Sequence, residues 1–154
     1  MPKISAGLLM HRTREGRLEY FLVHPGGPFW ARKDAGAWFI PKGEVNPGET
    51  FFEAAKREFE EEIGFEPKAD FLPLGHVKQK SGKVVHAWAF EGDCDPSAIK
   101  SNTFTLEWPP KSGKQREFPE IDRAAFFNIE QAKNKIHPAE FAFVERLNSA
   151  TQPR

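Results

Sequence analysis

The stretch Gly43–Phe65, GEVNPGETFFEAAKREFEEEIGF, decides how this chain folds, and the rest is read outward from it. Phe52, Ala55, Phe59 and Ile63 recur at i, i+3, i+7 and i+11, a single apolar stripe that predicts a helix. Pro47-Gly48 marks a turn before it. Thr50 is placed as N-cap, with Glu53 three residues on completing a capping box. Gly64 is the expected C-terminal stop. Seven of the 23 residues are glutamate. Glu53 and Glu60 fall on the face opposite the stripe, whereas Glu62 flanks it and Glu58 and Glu61 lead away. At about 100° per residue these last three share about a quarter of the helix circumference. Carboxylates that close repel one another and weaken an isolated helix. A cation relieves the repulsion, and oxygen ligands without His or Cys point to Mg²⁺ or Mn²⁺ rather than zinc. The competing account is a glutamate-rich surface helix kept for solubility, but solvated faces usually mix signs.

On either side of this helix the chain reads as strands and loops of one domain, residues 1–154. Ile4 to His11 and Leu18 to His24 are expected strands joined through a turn at Thr13–Gly16. Pro25-Gly26-Gly27-Pro28 ends the second, and a loop carrying Phe29, Trp30, Arg32, Lys33 and Asp34 follows. Ala37 to Pro41 runs extended into the glutamate segment. Asp70 to Gln79 and Lys83 to Glu91 are expected strands around a Ser81-Gly82 turn. Val84, His86, Trp88 and Phe90 do not alternate cleanly with polar residues, which predicts burial on both faces. A short strand Phe104–Trp108 precedes a loop with Pro109, Pro110 and Gly113. Arg123 to Asn128 is the expected last strand, and Ile129–Lys135 and Pro138–Asn148 are helices. Strands with helices outside the sheet make an α/β sandwich.

The glutamate segment resembles a known signature. The Nudix box has the pattern G-x5-E-x7-R-E-U-x-E-E-x-G-U, with U apolar. This chain fits it at Gly43, Glu49, Arg57, Glu58, Phe59, Glu61, Glu62, Gly64 and Phe65. The resemblance implies a Nudix-type α/β/α sandwich with a mixed sheet and the box as loop-helix-loop. It implies a hydrolase that cleaves a diphosphate linked to some moiety X with a divalent metal, Mg²⁺ or Mn²⁺. Carried over by position, Glu58 and Glu62 are the main metal ligands, and Glu61 is a further ligand or the general base. Glu49 and Arg57 pair to tie the loop to the helix, with Arg57 expected to project away from Glu58; the alternative for Arg57 is a catalytic role in which it binds the substrate phosphates. A further carboxylate arrives from a downstream loop in this family; Glu120 is the candidate here and Glu117 its rival. Metal would neutralise the phosphate oxygens and activate a water, from which a nearby carboxylate takes a proton.

Substrate choice rests on fewer residues. Trp38 to Glu44, WFIPKGE, resembles the lead-in of members acting on dinucleoside polyphosphates and related compounds. Gly43 permits close approach of the backbone, Lys42 beside it reaches a phosphate, and Arg32, Lys33 and Trp30 supply cations and a stacking surface for a base. A nucleoside or dinucleoside polyphosphate is favoured. The alternatives are a non-nucleotide diphosphate, such as an inositol pyrophosphate or a diphosphate-sugar, and a catalytically silent nucleotide-binding sensor module. His24 is a lesser candidate for touching substrate, and His86 is expected to be a satisfied core residue.

Composition sets the outer limits. Lys plus Arg and Asp plus Glu number 22 each, so no global field draws in nucleic acid or an anionic membrane. No apolar run approaches a membrane span, and MPKISAGLLMHR carries no signal-peptide pattern. The lone cysteine, Cys94, cannot pair within the chain and fits a reducing, cytoplasmic setting. Asp93 and Asp95 beside it give no activating positive charge. The sequence does not separate a monomer from a homodimer.

Overall fold

The computed structural model describes residues 3–68, 70–99 and 101–151; Met1, Pro2 and 152–154, included in the single-domain expectation, lie outside them. The expected three-layer sandwich is present. Among the described residues eight strands and three helices follow in the order β1 (Ile4–Arg14), β2 (Arg17–Pro25), β3 (Lys42–Glu44), α1 (Phe51–Ile63), β4 (Leu72–Lys78), β5 (Val84–Glu91), β6 (Thr103–Glu107), β7 (Gln115–Pro119), β8 (Ile121–Phe127), α2 (Ile129–Lys135) and α3 (Phe141–Thr151). The main sheet runs β4-β5-β1-β2-β8, with β3 paired to β1. The β1–β5 pair is parallel and the remaining pairs are antiparallel, so the sheet is mixed.

Strand alternation explains why both faces are covered. Ala6, Leu8 and Met10 of β1 and Phe21 and Val23 of β2 face α1, where they enclose Ala54, Ala55, Phe59 and Ile63. Leu9, Tyr20 and Leu22 point the other way with Val85, Ala87 and Ala89, against Ala132, Phe143, Val144 and Leu147 of α2 and α3. Successive strand residues alternate faces, so the consecutive apolar residues Leu8–Met10 of β1 and Tyr20–Val23 of β2 require a helix layer on each side.

One departure from regular pairing places the site. β1 and β2 pair only from His11 and Tyr20 to their shared turn. Toward the other end they part, and the segment Phe39–Val45 fills the gap. Phe39 exchanges two 2.9 Å backbone hydrogen bonds with Val23, Leu8 N donates to Pro41 O at 3.1 Å, and β3 pairs with Ser5–Gly7. The lead-in to α1 is thereby sewn into the sheet.

The strand assignments differ from expectation in the region after β5. Gln115–Pro119 is a strand, paired with Thr103–Glu107 in a separate hairpin, and β8 begins at Ile121 rather than Arg123. QREFP carries one large apolar residue; Phe118 meets Phe104 with ring centroids 5.9 Å apart, and beyond that the hairpin rests on the loop after β2, where Phe104 lies against Gly27 and Pro119 against Gly26. It therefore lacks the periodicity of a strand with a buried face. Pro138–Glu140 forms a separate 3₁₀ turn before α3.

Candidate active site

Helix α1 is built as a rigid mount. Asn46-Pro47-Gly48-Glu49 closes with Glu49 N donating to Asn46 O at 3.1 Å, and Gly48 at φ 81° supplies the left-handed residue such a Pro-Gly turn needs. Thr50 caps the helix: Glu53 N donates to Thr50 Oγ1 at 3.1 Å and Thr50 N to Glu53 Oε1 at 3.0 Å. Gly64, in the left-handed conformation at φ 99°, ends it.

Arg57 ties that mount together. Its Nε and Nη2 donate to Glu49 Oε2 and Oε1 at 2.7 and 3.0 Å, a two-pronged pair, and Nη2 reaches Glu44 O at 3.1 Å. Nη1 donates to Glu58 Oε1 at 2.8 Å and to Glu61 Oε2 at 3.3 Å. Arg57 therefore does not project away from Glu58. Its long stem folds along its own turn, and one fork serves the loop carboxylate and two helix carboxylates together. The hydrogen bonds from Arg57 and Asn46 hold the Glu49 carboxyl down to about 2.

The carboxylates of α1 meet β3 at Gly43. An added Cβ there would lie 2.0 Å from Glu58 Cδ, so only glycine leaves room for the Glu58 carboxylate against the strand. Glu62 lies one turn further on. Burial, followed by the charge of Glu58, pushes its carboxyl up to about 8, and Lys42 and a hydrogen bond from the Lys42 backbone oppose that rise only in part. Glu62 Oε2 is buried with no hydrogen-bond partner. Burial also raises Glu58; the Arg57 guanidinium opposes this, and Glu61 and Glu120 reinforce it. Glu61 is half-exposed, its side chain at 50%.

A cleft of about 210 Å³ opens beside these groups, lined by Trp30, Phe39, Lys42, Glu62, Glu120 and Ile121, with Val23, Pro25 and Ile40 behind. Trp30 and Phe39 meet edge to face with ring centroids 5.5 Å apart. The Lys42 ammonium lies 4.3 Å above the Phe39 ring and 2.8 Å from Glu140 Oε2. Glu140 is wholly buried, and its other oxygen accepts from Ile40 N at 2.9 Å. Glu120 and Glu117 are both exposed, but Glu120 lines the cleft and Glu117, on the outlying hairpin, does not. Arg32 is exposed on the loop and does not line the cleft. Lys33 turns its ammonium to within 5.1 Å of the Trp30 ring. Phe39 and Glu140 escaped the sequence reading; a glutamate at the head of the apolar run FAFV was the available signal for the second.

Two histidines stand elsewhere than the cleft. His24 is fully buried, Nδ1 at 2.7 Å from Asp122 Oδ1 and Nε2 at 2.6 Å from Lys33 O, joining the Trp30 loop to β8. His86 is not the core residue expected. It is part-exposed and stacks on Phe51 at 4.3 Å, because its position on β5 lies at the uncovered start of α1. Burial and the neighbouring Asp93 push the Cys94 thiol up to about 11, so it is neutral and inert as a nucleophile near pH 7.

Among the described residues no three His, Cys, Asp or Glu side chains already stand as a formed cation cage, and Arg57 engages one oxygen each of Glu58 and Glu61. The donor set nonetheless fits a hard divalent cation. It consists of carboxylates only, and it includes a buried oxygen without a partner, a group that costs free energy until a cation or donor reaches it.

Comparison with known proteins gives a consistent picture. The NUDIX domain family model matches residues 1–147. The chain is 59% identical over 32 residues to an RNA pyrophosphohydrolase of Erythrobacter litoralis, a match that spans 21% of this chain and 20% of that protein. In fold it is similar to the Ap4A hydrolase of C. elegans, with TM-score 0.64 and 20% identity over 99% of this chain and 100% of that one. It is likewise similar to the NUDIX domain of Shewanella oneidensis NrtR complexed with ADP ribose, with TM-score 0.69 and 11% identity over 99% and 90% of the two chains.

Proposed function

The chain belongs to the NUDIX domain family, and on that premise we propose that it is a metal-dependent pyrophosphohydrolase cleaving a diphosphate bond in a nucleoside diphosphate linked to X. A nucleoside or dinucleoside polyphosphate is the preferred substrate. The observation that carries this reading is the partnerless buried oxygen of Glu62, in a cleft that also presents Glu120, Lys42, Trp30 and Phe39. Anionic ligands for a cation, a cation for a phosphate and a flat ring for a base lie together. The names of an RNA pyrophosphohydrolase and an Ap4A hydrolase among the relatives point to the same class of bond.

Each residue then has a physical task. Glu58 and Glu62, with Glu120 across the cleft, would hold Mg²⁺ or Mn²⁺. Bound there, the ion would offset phosphate charge and acidify water. Glu61, half-exposed and within reach of solvent, takes the proton of the attacking water as general base. Arg57 and Glu49 keep the loop and helix in register, and Gly43 lets Glu58 reach its place. Lys42 faces the phosphate chain, and Trp30 with Phe39 receives the base. Among the described residues no helix is long and apolar enough to cross a membrane.

A phosphate-release screen tests the reading. It spans nucleoside di-, tri- and tetraphosphates, dinucleoside polyphosphates, diphosphate-sugars and inositol pyrophosphates, with Mg²⁺ and with EDTA. Turnover of a nucleotide class that EDTA abolishes is the expected result. Turnover confined to inositol pyrophosphates or diphosphate-sugars would overturn the substrate reading. Nucleotide binding with no turnover of any class would make the chain a silent sensor module.

A further inference from the structure

Among the described residues Glu140 is the most buried carboxylate, at 0% exposure, and it lies outside the box. A carboxylate taken wholly out of water is retained only with partners. One partner is the backbone of Ile40, whose N–H donates to Oε1 at 2.9 Å. The other is Lys42, whose ammonium stands 2.8 Å from Oε2 in an ion pair whose angle falls short of a hydrogen bond. Lys42 is 13% exposed in its side chain and lines the same cleft as Glu62 and Glu120. Its backbone N–H and its charge both favour the ionised form of the Glu62 carboxylate. One residue thus joins the helix carboxylates to the C-terminal part of the chain. Lys83, on β5's leading side, feels both Lys42 and Glu140.

The arrangement creates a conflict that Glu140 resolves. An ammonium at the edge of an anionic cluster is the natural competitor of a divalent cation for the same carboxylates. With no counter-ion of its own, Lys42 would neutralise Glu62 and Glu58 and lower the affinity of the cluster for metal. We propose that Glu140 is a positioning residue that holds and neutralises the Lys42 ammonium, keeping it off the Glu58–Glu62–Glu120 cluster and so setting the affinity of the enzyme for its divalent metal. This rests on the metal-dependent reading above. The same tether fixes the ammonium at the side of the cleft, over the Phe39 ring, where an incoming phosphate meets it.

The test is direct Mn²⁺ binding to the intact protein, by electron paramagnetic resonance of free Mn²⁺ and by calorimetry, with no substrate present. Glu140→Gln keeps an oxygen for the Ile40 N–H and removes the charge, so Mn²⁺ Kd should rise roughly tenfold. Adding Lys42→Met to Glu140→Gln removes the competitor as well and should return Kd to within about twofold of wild type, an outcome that a merely structural defect at position 140 would not give. Glu140→Asp, which keeps the charge at shorter reach, should weaken binding less than Glu140→Gln. An unchanged Kd in Glu140→Gln, a double variant as weak as the single one, or an Asp variant weaker than the Gln variant would each overturn the proposal. Wild-type protein that binds no Mn²⁺ would remove the metal reading itself before any variant is compared.

Discussion

Replacing Gly43 by alanine separates the demands of the fold from those of the chemistry. The added Cβ would sit 2.0 Å from Glu58 Cδ and 2.2 and 2.4 Å from its oxygens. Ordinary van der Waals contact begins near 3.4 Å, so the carboxylate must retreat by about 1.4 Å (3.4 minus 2.0). It cannot do so and keep the 2.8 Å hydrogen bond from Arg57 Nη1. Gly43 is not among the positive-φ residues, so alanine adopts its backbone freely, and lower freedom of the unfolded chain adds about 0.4–1 kcal/mol of stability. The obstruction is the end of a side chain rather than backbone, and the fold can absorb it. In a domain of this size about 1 kcal/mol moves Tm by roughly 2–4 °C, so the midpoint should stay within that range. Activity has no such tolerance. A displacement of about 1 Å costs on the order of 10²-fold in rate, and ligand distances in metal sites hold within about 0.2 Å. Phosphate-release kinetics should therefore show kcat/KM down by about a hundredfold or more, with Mn²⁺ binding weakened in parallel and Tm nearly unmoved. Turnover within about twofold of wild type would refute the argument that Glu58 must occupy this place. A fall in Tm of about 10 °C or more would show that the strand, not the carboxylate, gave way.

Three further outcomes follow from the site. Glu61→Gln should lower kcat by roughly a hundredfold with little change in KM, and wild-type kcat in that variant would remove Glu61 from the role of base. Trp30→Ala should raise KM for nucleotides by about tenfold, in line with stacking worth roughly 1–3 kcal/mol, and an unchanged KM for every base would favour a non-nucleotide X. The third concerns acid. The Glu49 carboxyl is held down to about 2, first by Arg57, so the folded state holds its proton less tightly than the unfolded one. Its contribution is present above about pH 4.5 and is lost as pH falls toward 2. Melting curves of wild type and Arg57→Ala should therefore lie apart above about pH 4.5, wild type higher, and converge below it; curves that stay parallel to pH 2 would show that the Arg57–Glu49 pair does not carry this dependence.

What could be read from the chain depended on how far apart the determining residues lie. The helix Phe51–Ile63, its Thr50 cap and its Gly64 stop are specified within about four residues of each position, and periodicity captures them. The apolar strand character of β1 and β5 was legible for the same reason, but β5 is fully buried along only one face, through Val85, Ala87 and Ala89, with Val84, His86 and Trp88 part-exposed on the other. The hairpin Thr103–Pro119 was half legible: Thr103–Glu107 carries Phe104 and Leu106 on one face, but Gln115–Pro119 is defined only by pairing with it. The spacing of residues says nothing of which acid after the box lines the cleft. Glu117 and Glu120 are three residues apart, and only the register of β7 and the start of β8 put Glu120 in the cleft.

The same limit explains why Lys42 was placed at the site while its controlling partner was not. Lys42 is adjacent to Gly43, inside the local pattern, whereas Glu140 is 98 positions on (140 minus 42) and meets it only after α2 has turned the chain back across the sheet. A local signal did exist. Glu140 precedes FAFV at the head of an amphipathic helix and falls in a run otherwise buried through Phe143, Val144 and Leu147. An acid in that setting demands a basic partner or a backbone donor, but nothing in sequence spacing chooses among the 22 lysines and arginines. The fold makes the choice by sewing Phe39–Val45 between β1 and β2, which brings the Ile40 N–H and the Lys42 ammonium to one side of the sheet, facing Glu140. The strand insertion and the charge balance of the site are therefore one device: the hydrogen bonds that hold the lead-in to α1 also fix where the Lys42 ammonium, whose charge acts on Glu62, can stand.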